Sequence, residues 1–470
     1  MRRVCLWAAL LTALSGCAIG PDYERPAVDT PPSWRVEEPE ARELANTAWW
    51  EQFGDPVLNE LIQTALKENK DLKIAAARIE EFYGRYVVTR AAMFPQIGAG
   101  ATGGRERLSE QGAVPVAPGV HNPGSFWELF LSGSWEIDVW GRLRRATEAA
   151  KASLLATEEG RRTVILTLVS SVAGSYVNLR SLDRQLEIAE KTAKAREGSY
   201  DLFKRRFEGG TISELELSQV KSLYEQALAS IPPLQKLIAQ QENALSVLLG
   251  RNPGPVPRGK TIDELTLPAV PAGLPSELLE RRPDLRQAEE FLVAANAQIG
   301  VARAAYFPAI SLTGLFGWSS RELSDLFTGP AKTWSWAVPI AQPVFTAGAI
   351  SGQVKAAVAI QQEALVGYQQ VIQAAFREVE DALVDQRRSR EQLEAQTREV
   401  EALAQTVHFA RVRFDNGYTS FIEVLDAERS LFETDLARIQ TKGILFQSLV
   451  NCYKSMGGGW VVEAEGLAAN

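Results

Sequence analysis

The chain has 470 residues, 46% apolar and 23% charged, with a formal charge of −8 at neutral pH. That apolar share excludes a disordered chain, and an acidic chain without clusters of Lys and Arg is excluded as a nucleic-acid binder. Length alone suggests about three compact domains, but two long, repeated helical runs argue for one elongated body.

Arg2 and Arg3 form a basic start, and Val4 to Leu14 form an apolar run too short to span a bilayer. Leu14-Ser15-Gly16-Cys17 follows. Residues 1–16 therefore read as a secretory signal. Its ending resembles a bacterial lipobox, which implies cleavage before Cys17, an acyl group on its amine and a diacylglyceryl group on its sulfur. Ala18 in place of an acidic residue implies the outer membrane as destination. Cys5 leaves with the signal and Cys17 carries lipid, so Cys452 remains alone and no intrachain disulfide forms. Cys452 sits in an apolar helical context and reads as a core residue.

Residues 17–56 are rich in proline (Pro21, Pro26, Pro31, Pro32, Pro39) and read as an extended arm. Trp49, Trp50 and Phe53 pin the end of this arm to the body. A first repeat covers 57–255. Its helical pattern runs from Pro56 to about Phe94, where Pro95 stops it. Strands are predicted over about 96–137. The second is the clearer one: Trp127, Leu129, Leu131, Trp135 and Ile137 alternate with Glu128, Ser132, Ser134, Glu136 and Asp138. A long helix is predicted over about 141–207 and is ended by Gly209-Gly210. The returning helix starts near Ser213, and Pro232-Pro233 is predicted to break or kink it. Residues 256–272 read as a Pro/Gly linker.

The second repeat covers 273–460. Arg90-Ala91-Ala92-Met93-Phe94-Pro95 returns as Arg303-Ala304-Ala305-Tyr306-Phe307-Pro308, and Asp71-Leu72 as Asp284-Leu285, both at an offset of 213. Arg206-Phe207-Glu208-Gly209-Gly210 returns as Arg413-Phe414-Asp415-Asn416-Gly417 at an offset of 207. Matches in one order indicate an internal duplication. Strands are predicted over about 308–344, with Ile310, Leu312, Phe316 and Trp318 on one face and Trp334, Trp336, Val338 and Ile340 on that of the next. A second long helix, about 348–414, carries a heptad-like seam through Ala375, Val379, Ala382, Gln386, Ser389, Leu393, Gln396, Val400, Leu403, Val407, Ala410 and Phe414. Each long run would measure ~100 Å. Residues 461–470 read as a flexible tail.

Four strands of ~10–12 residues suit a tilted membrane crossing. Four cannot close a membrane barrel, and an open edge cannot face lipid. Several copies must therefore share one barrel. Three would give twelve strands and four would give sixteen, and the strand count does not choose. Glu128, Glu136 and Asp138 suggest a wet inner face.

The residues now assembled resemble a family. Gly20-Pro21-Asp22-Tyr23, Trp49-Trp50, the twin Phe-Pro motifs, Trp135 to Arg142, Val424-Leu425-Asp426-Ala427 and the terminal Gly-Gly-Gly-Trp are similar to those of outer-membrane efflux lipoproteins of the TolC superfamily, in its OprM/NodT branch. The resemblance implies a mainly helical fold: a trimer with one twelve-stranded barrel, four strands per protomer, continued by a long periplasmic α-helical barrel. It implies a periplasmic adaptor and an inner-membrane pump of the resistance-nodulation-division type as partners. It also implies passive export of drugs or other toxic small molecules, with no cofactor besides the covalent lipid on Cys17.

The resemblance further implies a gate where the helices turn. Asp426 matches the family's constricting aspartate. Glu423 lies one turn before it, Arg429 sits three residues after it, and Ile422 shares the turn. Thr419 stands where some relatives carry a gating arginine. Glu214, Glu216 and Gln219 occupy comparable places in the first turn. An enzyme is not indicated: His121 and His408 have no partner spaced for a metal or a triad, and no phosphate-binding glycine loop follows a strand. The alternatives are a channel for type I protein secretion or metal-cation efflux, and a lipoprotein scaffold on a solid helical stalk.

Overall fold

The computed structural model describes residues 18–35, 48–112, 116, 121–270, 275–457 and 461. The signal segment, Cys17, Gly458 to Trp460 and the last nine residues lie outside these. The chain forms two compact units: residues 1–27, 78–157 and 287–368, and residues 28–77, 158–286 and 369–470.

The helices longer than one turn are α1 (Pro56–Glu68), α2 (Lys70–Ala91), α3 (Arg142–Glu208), α4 (Glu214–Leu248), α5 (Pro283–Ala304), α6 (Ala349–Asp415) and α7 (Phe421–Met456). The long helices α3 and α6 are 67 residues each and fall within a residue of their predicted limits. Each follows a glycine with positive φ, Gly141 at 79° and Gly348 at 88°, in a region closed to most side chains. No described helix is long and apolar enough to cross a membrane. The predicted break does not occur: α4 runs as one helix through Pro232 and Pro233. The prolines leave the carbonyls of Leu228 and Ala229 without their helical partners, and both residues are exposed, so water can take that place.

The first unit holds the sheet. Its strands are β1 (Gln96–Glu106), β2 (Gly124–Glu136), β3 (Ala309–Ser320), β4 (Lys332–Ala337) and β5 (Ile340–Ala341), antiparallel in the order β1-β2-β3-β4. The last strand is shorter than predicted because Pro339 has no N–H to give the ladder. Pairing nevertheless resumes in the same register: Thr313 faces Ala337, and three residues on, Ile310 faces Ile340. The Ser311 N–H donates to the Pro339 carbonyl at 3.1 Å across the gap. Thus β5 continues β4, and β1 and β4 are the outer strands.

Register sorts the sheet into two faces. Ile97, Ala99 and Ala101 on β1 pair with Gly133, Leu131 and Leu129 on β2, and these share one face with Trp135, with Leu312, Phe316 and Trp318 on β3 and with Trp334 and Trp336 on β4. The opposite face carries Thr102, Glu128, Ser132, Ser134, Thr313, Ser319, Thr333 and Ser335, with Phe126, Phe130 and Leu315 among them. The apolar face stays open: Ile97 is 80% exposed, Trp334 68% and Trp336 69%. A bare apolar surface of this extent marks contact with lipid or protein.

The glycines of β1, whose alternation is weak in the sequence, lie under aromatic rings of β2. A Cβ added at Gly100, Gly103 or Gly104 would come within 2.5–2.6 Å of Phe130, Trp127 or Phe126, its own cross-strand partner. Two of the three predicted inner-face acids have other tasks. Glu136 pairs with Arg142 through two bonds of 3.0 and 2.6 Å. Asp138 lies past the strand and accepts the Leu143 and Arg144 N–H groups at 3.0 and 2.8 Å, capping α3.

The second unit carries the larger core. Trp49, Trp50 and Phe53 are buried with Leu58 and Ile62 of α1, Ile165, Val169, Val172, Tyr176 and Leu179 of α3, and Phe446, Val450 and Tyr453 of α7. The seam of α6 is buried through Ala375, Val379, Ala382, Gln386 and Ser389, and half-buried from Leu393 to Val407. The stretch that composition marks as a linker is packed, because Val256, Ile262, Leu265 and Val270 enter the core.

Candidate functional site

Both long helices end in the same closure. At the first turn the Thr211 N–H donates to the Arg206 carbonyl and the Gly210 N–H to the Phe207 carbonyl, each at 2.9 Å. At the second, Tyr418 and Gly417 donate to Arg413 and Phe414, again at 2.9 Å. Gly210 and Gly417 take positive φ, 70° and 77°. This is the glycine-terminated double bond that satisfies the last helical carbonyls. The two turns meet around one small core of Phe203, Val220, Ala410, Phe421, Val424 and Leu425. Phe203 and Phe414 lie 4.3 and 4.8 Å from Phe421, centroid to centroid.

That core fixes which face of α7 is free. Phe421, Val424, Leu425 and Ala427 point inward, while Ile422, Glu423, Asp426 and Arg429 share the exposed face. The structure therefore brings the four gate candidates of the second turn together. Asp426 and Arg429 form a direct ion pair, both side chains more than half exposed. Glu423 lies 3.9 Å from Arg413. Glu428 is turned aside and accepts from Arg411 Nε at 3.0 Å.

The first turn has the same backbone and different charge. Leu215, Glu216 and Gln219 stand where Ile422, Glu423 and Asp426 stand 207 residues later. Leu215 is 67% exposed. Glu216 is committed to the helix start: its backbone N–H donates to Ser213 Oγ at 3.2 Å, and its carboxylate accepts from the Ser213 N–H at 2.8 Å. The Ser213 N–H, with the Ser213 hydroxyl that also donates to the carboxylate at 2.9 Å, holds the carboxyl below the usual carboxylate range. Glu214 is exposed and Gln219 is half-buried. The second turn has the same Ser-x-x-Glu spacing but makes no side-chain cap at Ser420, which leaves Glu423 available.

Sequence reasoning missed Arg196. It is 3% exposed and joins three helices, donating to the Leu223 carbonyl at 2.8 Å and the Glu428 carbonyl at 3.3 Å while lying 5.0 Å over the Phe432 ring. Burial pulls its guanidinium below the ordinary value, and Glu428 and Glu433 oppose the shift. No sequence signal marks one arginine among many on a helix. Cys17 lies outside the described residues. Among those described, no group of three or more His, Cys, Asp or Glu is placed to hold a metal.

A sequence model described as outer membrane efflux protein matches residues 61–251 and 274–458. The cation efflux system protein CusC of Escherichia coli O6:H1 is 36% identical over 457 residues, covering 95% of this chain and 97% of CusC. The toluene efflux pump outer membrane protein TtgF of Pseudomonas putida is 37% identical over 472 residues, covering 98% of each. Among solved structures, the open state of the Neisseria gonorrhoeae MtrE outer membrane channel superimposes with a TM-score of 0.84 at 31% identity, covering 94% of this chain and 99% of that one.

Proposed function

The chain belongs to the outer membrane efflux protein family, and from that premise we propose that three copies of it form the exit duct of a tripartite pump. The duct passes drugs or other toxic small molecules to the exterior, fed by a periplasmic adaptor and an inner-membrane pump of the resistance-nodulation-division type. It is no enzyme; export is passive and needs no chemistry of its own. Each half of the chain is one copy of a duplicated unit: α2 and α5 are both 22 residues long, and α3 and α6 are both 67. Cys17 anchors each copy by lipid.

One observation carries the reading. The sheet has one largely apolar face, an opposite face that mixes polar groups with Phe126, Phe130 and Leu315, and, among the described residues, an unpaired outer edge on each of β1 and β4. Lipid satisfies the apolar face, but nothing in lipid satisfies an open edge, so the sheet must close with further copies. Three copies give twelve strands around a wet lumen.

At the turns, three copies place three Asp426–Arg429 pairs about one axis. A single exposed pair contributes little. A ring of three concentrates carboxylates where Ile422 narrows the opening, and the arginines screen their repulsion. Single-channel recording in planar bilayers tests the duct, and the protein is expected to conduct. Conductance is expected to rise in Asp426→Ala and Arg429→Ala; unchanged conductance with unchanged uptake of bulky antibiotics would count against the gate. The relatives at level identity include both a cation and a toluene system, so the cargo is read by deleting the gene and profiling sensitivity to drugs, metals and solvents.

A further inference from the structure

We propose that the cavity at the foot of the sheet seats one acyl chain carried by Cys17; the proposal rests on the reading of Cys17 as a lipidated residue. The cavity holds about 480 Å³, a volume suited to a small ligand. Its apolar walls are Ile137, Val139, Trp140, Ala304, Phe307 and Ile310. The Trp140 ring stacks on Phe307 at 4.8 Å, and its indole N–H donates to the Pro308 carbonyl at 2.8 Å, which holds the wall in place. The charged residues at the rim satisfy one another or the backbone. Glu136 binds Arg142, and Asp138 caps α3. What remains is a slot for hydrocarbon.

The arm leads Cys17 to this slot. Tyr23 donates to Glu289 at 3.0 Å, and Asn296 donates to the Pro21 carbonyl at 3.0 Å. Gly20, with φ 120°, packs so closely that a Cβ would lie 2.6 Å from the Gly300 Cα. Followed backwards, the arm climbs α5 from 289 to 296 to 300, and the next turn of that helix presents Ala304, a wall of the cavity. On the other side the Ile19 N–H donates to the Trp140 carbonyl at 3.0 Å. Ala18 lies against Gly141, where a Cβ would come within 2.7 Å of the Ala18 Cα. The described chain thus starts beside Trp140, and the residue before it in sequence is Cys17. Seating one chain there takes the apolar walls of the slot out of water and ties the anchor to the junction of sheet and helices. The other chains stay in the bilayer.

The test uses full-length protein from cells fed a palmitic acid analogue that carries a diazirine and an alkyne. After irradiation, peptides are mapped by mass spectrometry. The expected result is a labelled N-terminal peptide joined covalently to peptides containing residues 137–142 or 304–310. An N-terminal peptide without label overturns the lipidation reading itself. A labelled N-terminal peptide joined only to bulk lipid, or to strand residues 334–336, overturns the seat and leaves lipidation standing. Phospholipid adducts on the cavity peptides, with the N-terminal peptide joined elsewhere, also overturn it and give the slot to membrane lipid. Ala305→Trp, which fills the slot, is expected to abolish the adduct with unchanged label incorporation; a persisting adduct counts against the seat.

Discussion

Asp55 is fully buried, yet every bond it makes is accounted for. Its carboxylate accepts from the Val57 N–H at 3.0 Å, the Tyr176 hydroxyl at 2.6 Å and the Lys260 N–H at 3.0 Å. One side chain therefore starts α1, holds α3 and fixes the segment after α4. Burial, then the Asp55 hydrogen bond, pushes the Tyr176 phenol far above its ordinary value, so it stays a donor. Removing an N-cap costs about 1 kcal/mol, and each buried donor left unpaired adds about 1–3 kcal/mol. Asp55→Ala is expected to lower the stability of the second unit by at least about 3 kcal/mol in urea titration; a loss under half of that would deny Asp55 this role. Two other acids of this unit set its acid limit. Burial pushes Glu242 and Asp263 up, but Arg258 with the Val256 N–H, and Lys442 with Arg184, outweigh it and hold both carboxyls below their usual range. As pH falls the unfolded chain takes these protons first. Their contribution is therefore complete above about pH 5 and is lost as pH falls through about 4 and below. Melting temperature is expected to fall across that window, and Lys442→Met is expected to flatten the fall.

Long helices without proline were legible to within a residue, because their burial repeats over many turns and glycines punctuate both ends. Other elements were hidden for physical reasons. The alternation of β1 is written in β2, since Gly100, Gly103 and Gly104 have meaning only beneath Phe130, Trp127 and Phe126. The break at Pro339 depends on which N–H the ladder needs, and the two prolines of α4 are tolerated because their freed carbonyls meet solvent. The hairpin loops explain the change in repeat offset. The first spans 107–123 and the second 321–331, six residues fewer, which is the step from 213 to 207. At the turns, the exposed face of α7 was readable from spacing and resemblance. The fates of Glu216 and Glu423 were not, because Ser-x-x-Glu permits a capping box without requiring one. Ser213→Ala is expected to cost about 1 kcal/mol and to speed amide exchange at 214–217. Ser420→Ala, which removes no bond from the side chain, is expected to change exchange at 421–424 little. Equal effects would show that the two turns are capped alike in solution.

At the scale of the whole chain, the two units draw their stability from different sources. The second buries Trp49, Phe53, Tyr176, Phe446 and Tyr453 within one copy, and apolar burial of that size holds a fold by itself. In the first unit the sheet leaves Trp334 and Trp336 bare and, among the described residues, the outer edges of β1 and β4 unpaired, so on the proposed reading lipid and neighbouring copies complete it. Charge on the apolar face separates the two sources. A lysine facing the middle of a bilayer costs about 2–4 kcal/mol, whereas one on the wet face costs little. The double variant Trp334→Lys/Trp336→Lys is therefore expected to abolish assembly, read as a fall in native mass from trimer to monomer. Ser335→Lys, between them on the other face, is expected to assemble. In the monomer, amides of residues 96–106 and 332–337 should exchange freely while those of 165–179 and 445–453 keep their protection. Loss of protection in both regions together would mean that the helical core, too, exists only in the closed assembly, and the separation argued from burial would be wrong.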